Sequence, residues 1–212
     1  KLVCDRDLGG ALHGGDALKG TKKWKFEAGG AEIGGANFGE KGVLFGSHDE
    51  HLYCVSFEGK ELWKFKIDGP IYGSVSVSGG KTFLAGCDSQ LHVIDVKTGK
   101  ADRSVDLGGQ SAATAAVLGD VLYVGTMKNE VKAIDWKKGD EVWTYKGGRN
   151  TQAFYSSPAV NEKYVVIGNR DNRVHCIDRK TGKMVWRFVT ENKVDGSPVI
   201  AYSARDISAG GV

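Results

Sequence analysis

No apolar run in these 212 residues approaches the roughly 20 that a membrane-spanning helix needs, and no charged-then-apolar leader opens the chain. A helical membrane span is thereby excluded. Export is not, because a mature chain or a piece of a longer one would read the same way. Charge of one sign is scarce as well: the formal net charge is +3, and Lys and Arg alternate with Asp and Glu. That distribution excludes the basic footprint of a nucleic-acid binder. Cysteine is sparse and unpaired. Cys4, Cys54, Cys87 and Cys176 form no Cys-x-x-Cys zinc pattern and are too few for a disulfide scaffold. Cys54 and Cys176 fall at one position of a repeat and are expected to be small buried core residues. Proline is down to three residues against 31 glycines, a balance that suits short strands joined by tight turns and not helices.

What is present is a repeat. Trp24, Trp63, Trp143 and Trp186, with Arg103 at the tryptophan position of the third copy, are spaced 39, 40, 40 and 43 residues apart. This is close to the roughly 40 to 50 residues of one four-stranded propeller blade. Gly46, Gly86, Gly125 and Gly168 give a second anchor in the same register, each ending an apolar run such as Val43 to Phe45 or Val165 to Ile167. The clearest copy runs from Gly168 to Trp186.

Four β-type segments are legible in each copy. The first is small-residued, as in Tyr72 to Val75, Ala112 to Ala115, Tyr155 to Pro158 and Asp195 to Pro198, which suits innermost strands crowded around an axis. The second is the apolar run. The third alternates, which sets its aliphatic residues on one face and Tyr53, His92, Lys132 and His175 on the other. A turn from Asp to Gly follows at 95–99, 135–139 and 178–182. The fourth strand carries the tryptophan, expected to cover the seam between blades while its N–H finds a carbonyl. The predicted fold is all-β: one β-propeller domain of four-stranded antiparallel blades, with repeats near 25–63, 64–103, 104–143 and 144–186.

Residues 178–186 read Asp-x-x-Thr-Gly-x-x-x-Trp in full, 135–143 depart only at Lys138, and 95–103 lose the tryptophan to Arg103. This signature resembles that of the pyrroloquinoline-quinone-like repeat family of β-propellers. The resemblance covers residues 16 to 200. It implies either a non-catalytic bacterial scaffold, of the kind found in the outer-membrane-barrel assembly lipoprotein, or a fragment of a quinone- and calcium-dependent dehydrogenase. The dehydrogenases need a calcium held by Glu, Asn and Asp, and usually a vicinal cysteine pair. No Cys-Cys and no such acidic constellation can be picked out here, so the scaffold branch, without cofactor, is the expectation. For a scaffold the family implies a periplasmic or extracellular setting.

The ends admit two readings. Residues 1–24 and 187–212 either share a closing blade, giving five blades, or the chain is part of a seven- or eight-bladed ring continuing beyond Val212. The tail from Tyr202 lacks the expected apolar run. Among candidate sites, His92 and His175 occupy equivalent positions on different blades and cannot converge on a metal. His48 and His51 flank a solvated turn, and no Ser or Cys has a nucleophile signature. The candidate site is the axial end, where residues entering the innermost strands meet. Glu32, Tyr72, Phe154, Tyr155 and Asp195 there form an expected rim for a protein or peptide partner.

Overall fold

A computed structural model describes residues 1–30, 34–148 and 152–201. The chain folds as successive antiparallel sheets, each a blade. The first contains β1 (Leu2–Arg6), β2 (Ala11–Asp16) and β3 (Lys22–Glu27); the second, β4 (Asn37–Phe38), β5 (Gly42–Gly46), β6 (His51–Ser56) and β7 (Glu61–Lys66). The third contains β8 (Ser76–Ser78), β9 (Lys81–Ala85), β10 (Gln90–Asp95) and β11 (Ala101–Asp106). The fourth contains β12 (Ala116–Leu118), β13 (Val121–Gly125), β14 (Glu130–Asp135) and β15 (Asp140–Lys146). The fifth contains β16 (Ala159–Val160), β17 (Tyr164–Asn169), β18 (Arg173–Asp178) and β19 (Met184–Val189). Each is a meander in chain order. Among the described residues the first sheet has three strands, and residues 194–201 form no strand.

The core lies between blades. Leu12 of β2 meets Val43, Phe45, Tyr53 and Val55 of the second blade. Leu44 and Leu52 of that blade meet Leu84 and Ile94 of the third. The pattern continues with Phe83 and Leu91 against Leu122 and Ile134, then with Val131 and Trp143 against Val165 and Ile177. A blade therefore has two buried faces, which corrects the expectation for the third strand: the face carrying Tyr53, His92 and His175 is itself core, and these side chains are 5%, 7% and 0% exposed. Cys54 and Cys176 are buried, as their repeat position suggests, and burial pushes the Cys54 thiol up to about 11.

Tryptophan closes each seam. The indole N–H of Trp24 donates to the Phe57 carbonyl at 2.8 Å, that of Trp63 to Val96 at 3.0 Å, and that of Trp143 to Arg179 at 2.9 Å. Each acceptor lies in the hairpin turn of the next blade. Arg103, standing in for the missing tryptophan, donates its guanidinium to the Lys138 and Lys137 carbonyls of the equivalent turn. The indole also needs the turn glycine. A Cβ at Gly99 would fall 2.5 Å from the ring of Trp63.

A β-bulge aims these side chains. In all five blades the register between third and fourth strand slips by one: Cys54 faces Trp63 while Val55 faces Glu61, leaving Leu62 as the extra residue. Asp102, Val142, Val185 and Lys23 are the extra residues elsewhere. Each directly precedes the tryptophan or its arginine substitute, and the added local twist turns that side chain toward the neighbouring blade. A second device recurs in the turn before the third strand, where Glu50, Ser89, Asn129 and Asn172 all have φ between 62° and 71°, and Gly10 takes the position in the first blade.

Two outcomes follow for urea unfolding. Trp143→Ala, which opens a filled seam, should cost about 3–5 kcal/mol, whereas Trp186→Ala, at an indole 46% exposed, should cost less than about 1 kcal/mol. Replacing Glu50, whose long side chain is held at φ 71°, by Gly should raise stability by about 1 kcal/mol, read as a shifted midpoint at unchanged m-value.

Candidate functional site

After each fourth strand the chain returns to the axis, and the recurrent glycine of the blade just completed is where it crosses. A Cβ at Gly125 would lie 2.7 Å from Phe154 Cβ, and one at Gly168 would lie 2.4 Å from Val194 Cγ1. The crossing residue thus points inward and the next one toward the axial opening. This corrects the assignment of Phe154 to the rim: it is fully buried and packs edge-on against His175 at 5.3 Å between ring centroids. Its equivalents Ile71 and Val194 are aliphatic, and Ser111, after the third blade, is buried as well, with its hydroxyl donated to the Gly125 carbonyl. Glu32 lies outside the described residues.

Tyr72, Tyr155 and Asp195 are the residues one step beyond a crossing, and all three are at least partly exposed. Tyr72 is 37% exposed, with the His48 ring edge-on at 4.9 Å. Tyr155 carries the Arg170 guanidinium over its ring face, 3.5 Å from the centroid. Arg170 is fixed in turn by a bidentate pair with Asp195 at 2.8 and 2.9 Å. The guanidinium hydrogen bonds hold the Asp195 carboxyl below its ordinary range, and the same bonds hold Arg170 protonated. Between the two tyrosines lies an open groove of about 600 Å³ lined by Pro70, Tyr72, Cys87, Gln110, Met127 and Tyr155. Arg170 and Met127 were not legible as site residues. Arg170 sits in a turn whose residues vary between copies, and only the fold brings it over Tyr155.

Beneath the groove the blades touch through backbone. The Thr114 N–H donates to Ser157 Oγ at 3.0 Å, and the Ser157 N–H to Ser197 Oγ at 3.1 Å, so one blade's serine satisfies the previous blade's amide. A Cβ at Gly34 would lie 2.3 Å from the Gly73 carbonyl oxygen. The small residues read from the sequence have this steric cause.

A second polar arrangement lies away from the axis. His92 Nε2 meets Asp88 Oδ2 at 2.7 Å while its Nδ1 meets Ser104 Oγ at 2.8 Å. Taken alone, Asp88, His92 and Ser104 have the connectivity of a hydrolase triad. The sister blades decide otherwise. Asp171 and Tyr145 flank His175 in the same way at 3.3 and 2.9 Å, Asp49 accepts from the Tyr53 hydroxyl at 2.6 Å, and Asp7 pairs with His13 at 2.7 Å. In the fourth blade Lys128 replaces the turn acid, and Lys132 replaces the histidine and reaches across to Glu141 at 2.6 Å. Recurrence in four of the five blades, with a lysine-to-glutamate bond at the same place in the remaining one, identifies a lock between the turn, the third strand and its surroundings. The signal available in sequence was an Asp four residues before the His or Tyr in the second, third and fifth blades, six before in the first, with a positive-φ residue between.

Burial of His175 makes stability depend on pH. Burial depresses the His175 pKa below 6.5, so the folded state takes up its proton less readily than the unfolded chain. Its contribution is present above the unfolded value near 6.5 and is lost as pH falls through the folded one. The urea midpoint should therefore drop between pH 7 and pH 5, and His175→Asn should flatten that slope.

A family model described as outer membrane protein assembly factor BamB matches residues 9–154 and again 147–205. The crystal structure of BamB from Moraxella catarrhalis superposes with a TM-score of 0.81 at 18% identity, covering 94% of this chain and 64% of that one. The computationally designed Ika8 protein superposes at 0.78 and 19% identity, covering 92% and 61%. The human β-alanine-activating enzyme is 27% identical over 109 residues, which are 48% of this chain and 10% of that protein. The chain thus spans about a tenth of that curated relative and under two thirds of the solved propellers. With Asp-to-Gly turns, tryptophan seams and a family match over nearly its whole length, this chain belongs to the PQQ-like repeat family of β-propellers described as outer membrane protein assembly factor BamB.

Proposed function

We propose that this chain is a non-enzymatic propeller scaffold that holds a protein or peptide partner at its axial rim. The observation that carries the reading is the groove between Tyr72 and Tyr155, with Tyr155 pre-set under a guanidinium that Asp195 fixes. Tyrosines presented in fixed orientation bury large area at low entropic cost, as interface anchors do. A periplasmic or extracellular bacterial setting is part of the proposal and is supported by the family's description as an outer membrane assembly factor. Among the described residues no helix is long and apolar enough to cross a membrane, and charge is too mixed for nucleic acid.

The cofactor for which the repeat is named does not fit this end of the molecule. The Arg170 guanidinium beside the groove is already bidentate with Asp195, and among the described residues no group of three or more His, Cys, Asp or Glu could hold a metal ion. No step is derived through the quinone.

A photo-crosslinking amino acid at Tyr72, with Lys97 on the blade flank as control, tests the reading in cells that make the protein. Tyr72 should label one protein selectively, and Tyr155→Ser should reduce that labelling roughly tenfold or more, the loss of an anchor worth about 1.4 kcal/mol. Equal labelling from both positions would overturn the rim, and dye-linked turnover after adding pyrroloquinoline quinone with Ca²⁺ would overturn the scaffold.

A further inference from the structure

The turn between second and third strands places an acid just before its positive-φ residue in three blades: Asp49 before Glu50, Asp88 before Ser89 and Asp171 before Asn172. Each carboxylate is engaged by its own third strand, through Tyr53, His92 or His175. The fourth blade puts Lys128 there, before Asn129, and its third strand makes no use of it, since Lys132 reaches Glu141 instead. Lys128 is exposed, and among the described residues its ammonium pairs with no carboxylate. Its place is the edge of the axial groove. Met127, next to it, lines the groove and donates its N–H to the Gln110 carbonyl at 2.8 Å. The stem of Lys128 lies over Gly109, where a Cβ would fall 3.0 Å from its Cγ and Cδ, and Gln110 beyond is groove lining too. The charged groups around it are engaged elsewhere. Arg170 is paired with Asp195, Asp106 caps the Gly108 amide at 2.7 Å, Glu130 lies with Lys132 and Lys146, and Asp68 lines a separate hollow with Lys66 and His92. The groove thus combines an apolar floor of Pro70, Ala112 and Met127 between two tyrosines with an unanswered positive charge at its edge.

Resting on the scaffold reading above, we propose that the segment held at the rim is an acidic peptide. A large apolar side chain enters between Tyr72 and Tyr155, and an Asp or Glu beside it in the partner meets the Lys128 ammonium. Burial against the tyrosines supplies the affinity, as it does for interface anchors. The lysine supplies the choice of sign. An exposed ion pair is weak and screened by salt, so it sorts partners by charge and adds little binding of its own. A basic segment meets repulsion at the same place, which is the other half of specificity.

Two end-blocked peptides of equal length, one alternating Phe with Asp and the other Phe with Lys, each carrying the same net-neutral fluorophore, test this by anisotropy on the whole chain. At about 20 mM salt the acidic peptide should bind about fivefold more tightly, and about 300 mM salt should close most of that gap. Lys128→Gln should bring the two affinities together, whereas Lys97→Gln on the blade flank should leave the gap as it is. Tyr155→Ser should weaken both peptides. Circular dichroism establishes that the variants are folded. Equal binding of the two peptides by the wild type, or a gap that survives Lys128→Gln or high salt, would overturn the acidic partner while leaving the rim as a docking site. Acidic-peptide binding that Tyr155→Ser leaves intact would overturn it as well, since the peptide then sits elsewhere. So would binding of neither peptide, and labelling from Tyr72 in cells then decides the scaffold reading separately.

Discussion

Lateral cohesion in this molecule depends on one hydrogen bond repeated from blade to blade: a donor on the outermost strand reaching a carbonyl in the next blade's hairpin turn. Arg103 shows what the position demands. It loses the indole and keeps a planar donor, and its guanidinium finds the Lys137 carbonyl at 3.0 Å. Around this contact the aliphatic clusters each draw on two adjacent blades. Stability is therefore a sum of blade terms and nearest-neighbour seam terms, the arithmetic of a one-dimensional array.

Much of this was legible in the sequence because the repeat imposes spacing. Tryptophan, turn glycine and run-ending glycine recur in register since each serves contacts with the same neighbouring atoms in every blade. The bulge before each tryptophan was not legible, because its extra residue is aliphatic at Leu62, Val142 and Val185 but charged at Lys23 and Asp102, so no single side-chain type marks it. Phe154 misled for a different reason. An aromatic beside a tyrosine at a strand entry suggests a rim, yet the alternation of the crossing segment sends it into the seam.

The face carrying Tyr53, His92 and His175 is opposite the aliphatic one, as alternation implies, and is buried as well. Alternation correctly separates two faces of a strand, but in a propeller both faces are core, so polar residues on the second one need partners supplied from the turn. The rim follows the opposite logic. Tyr155, Arg170 and Asp195 occupy positions where the copies disagree, and no repeat rule could assemble them. Where the blades agree the residues build the array; where they differ, at the axial end, they give it a surface of its own.

The fourth blade's exchange of acid and imidazole for Lys128 and Lys132 has a consequence for how such chains can be recombined. In the other blades turn and third strand carry matched halves of one lock, so a crossover falling between the fourth blade's turn and another blade's third strand would leave a histidine or tyrosine beside Lys128 with no acid to pair with it. A crossover through the axial segment keeps each turn acid with its own third strand and parts only partners that span a seam, such as Tyr145 and His175. Blades cut at the axis thus keep their own acid and imidazole together, and what must still match between neighbours is the partner that crosses the seam, as Tyr145 does for the buried His175.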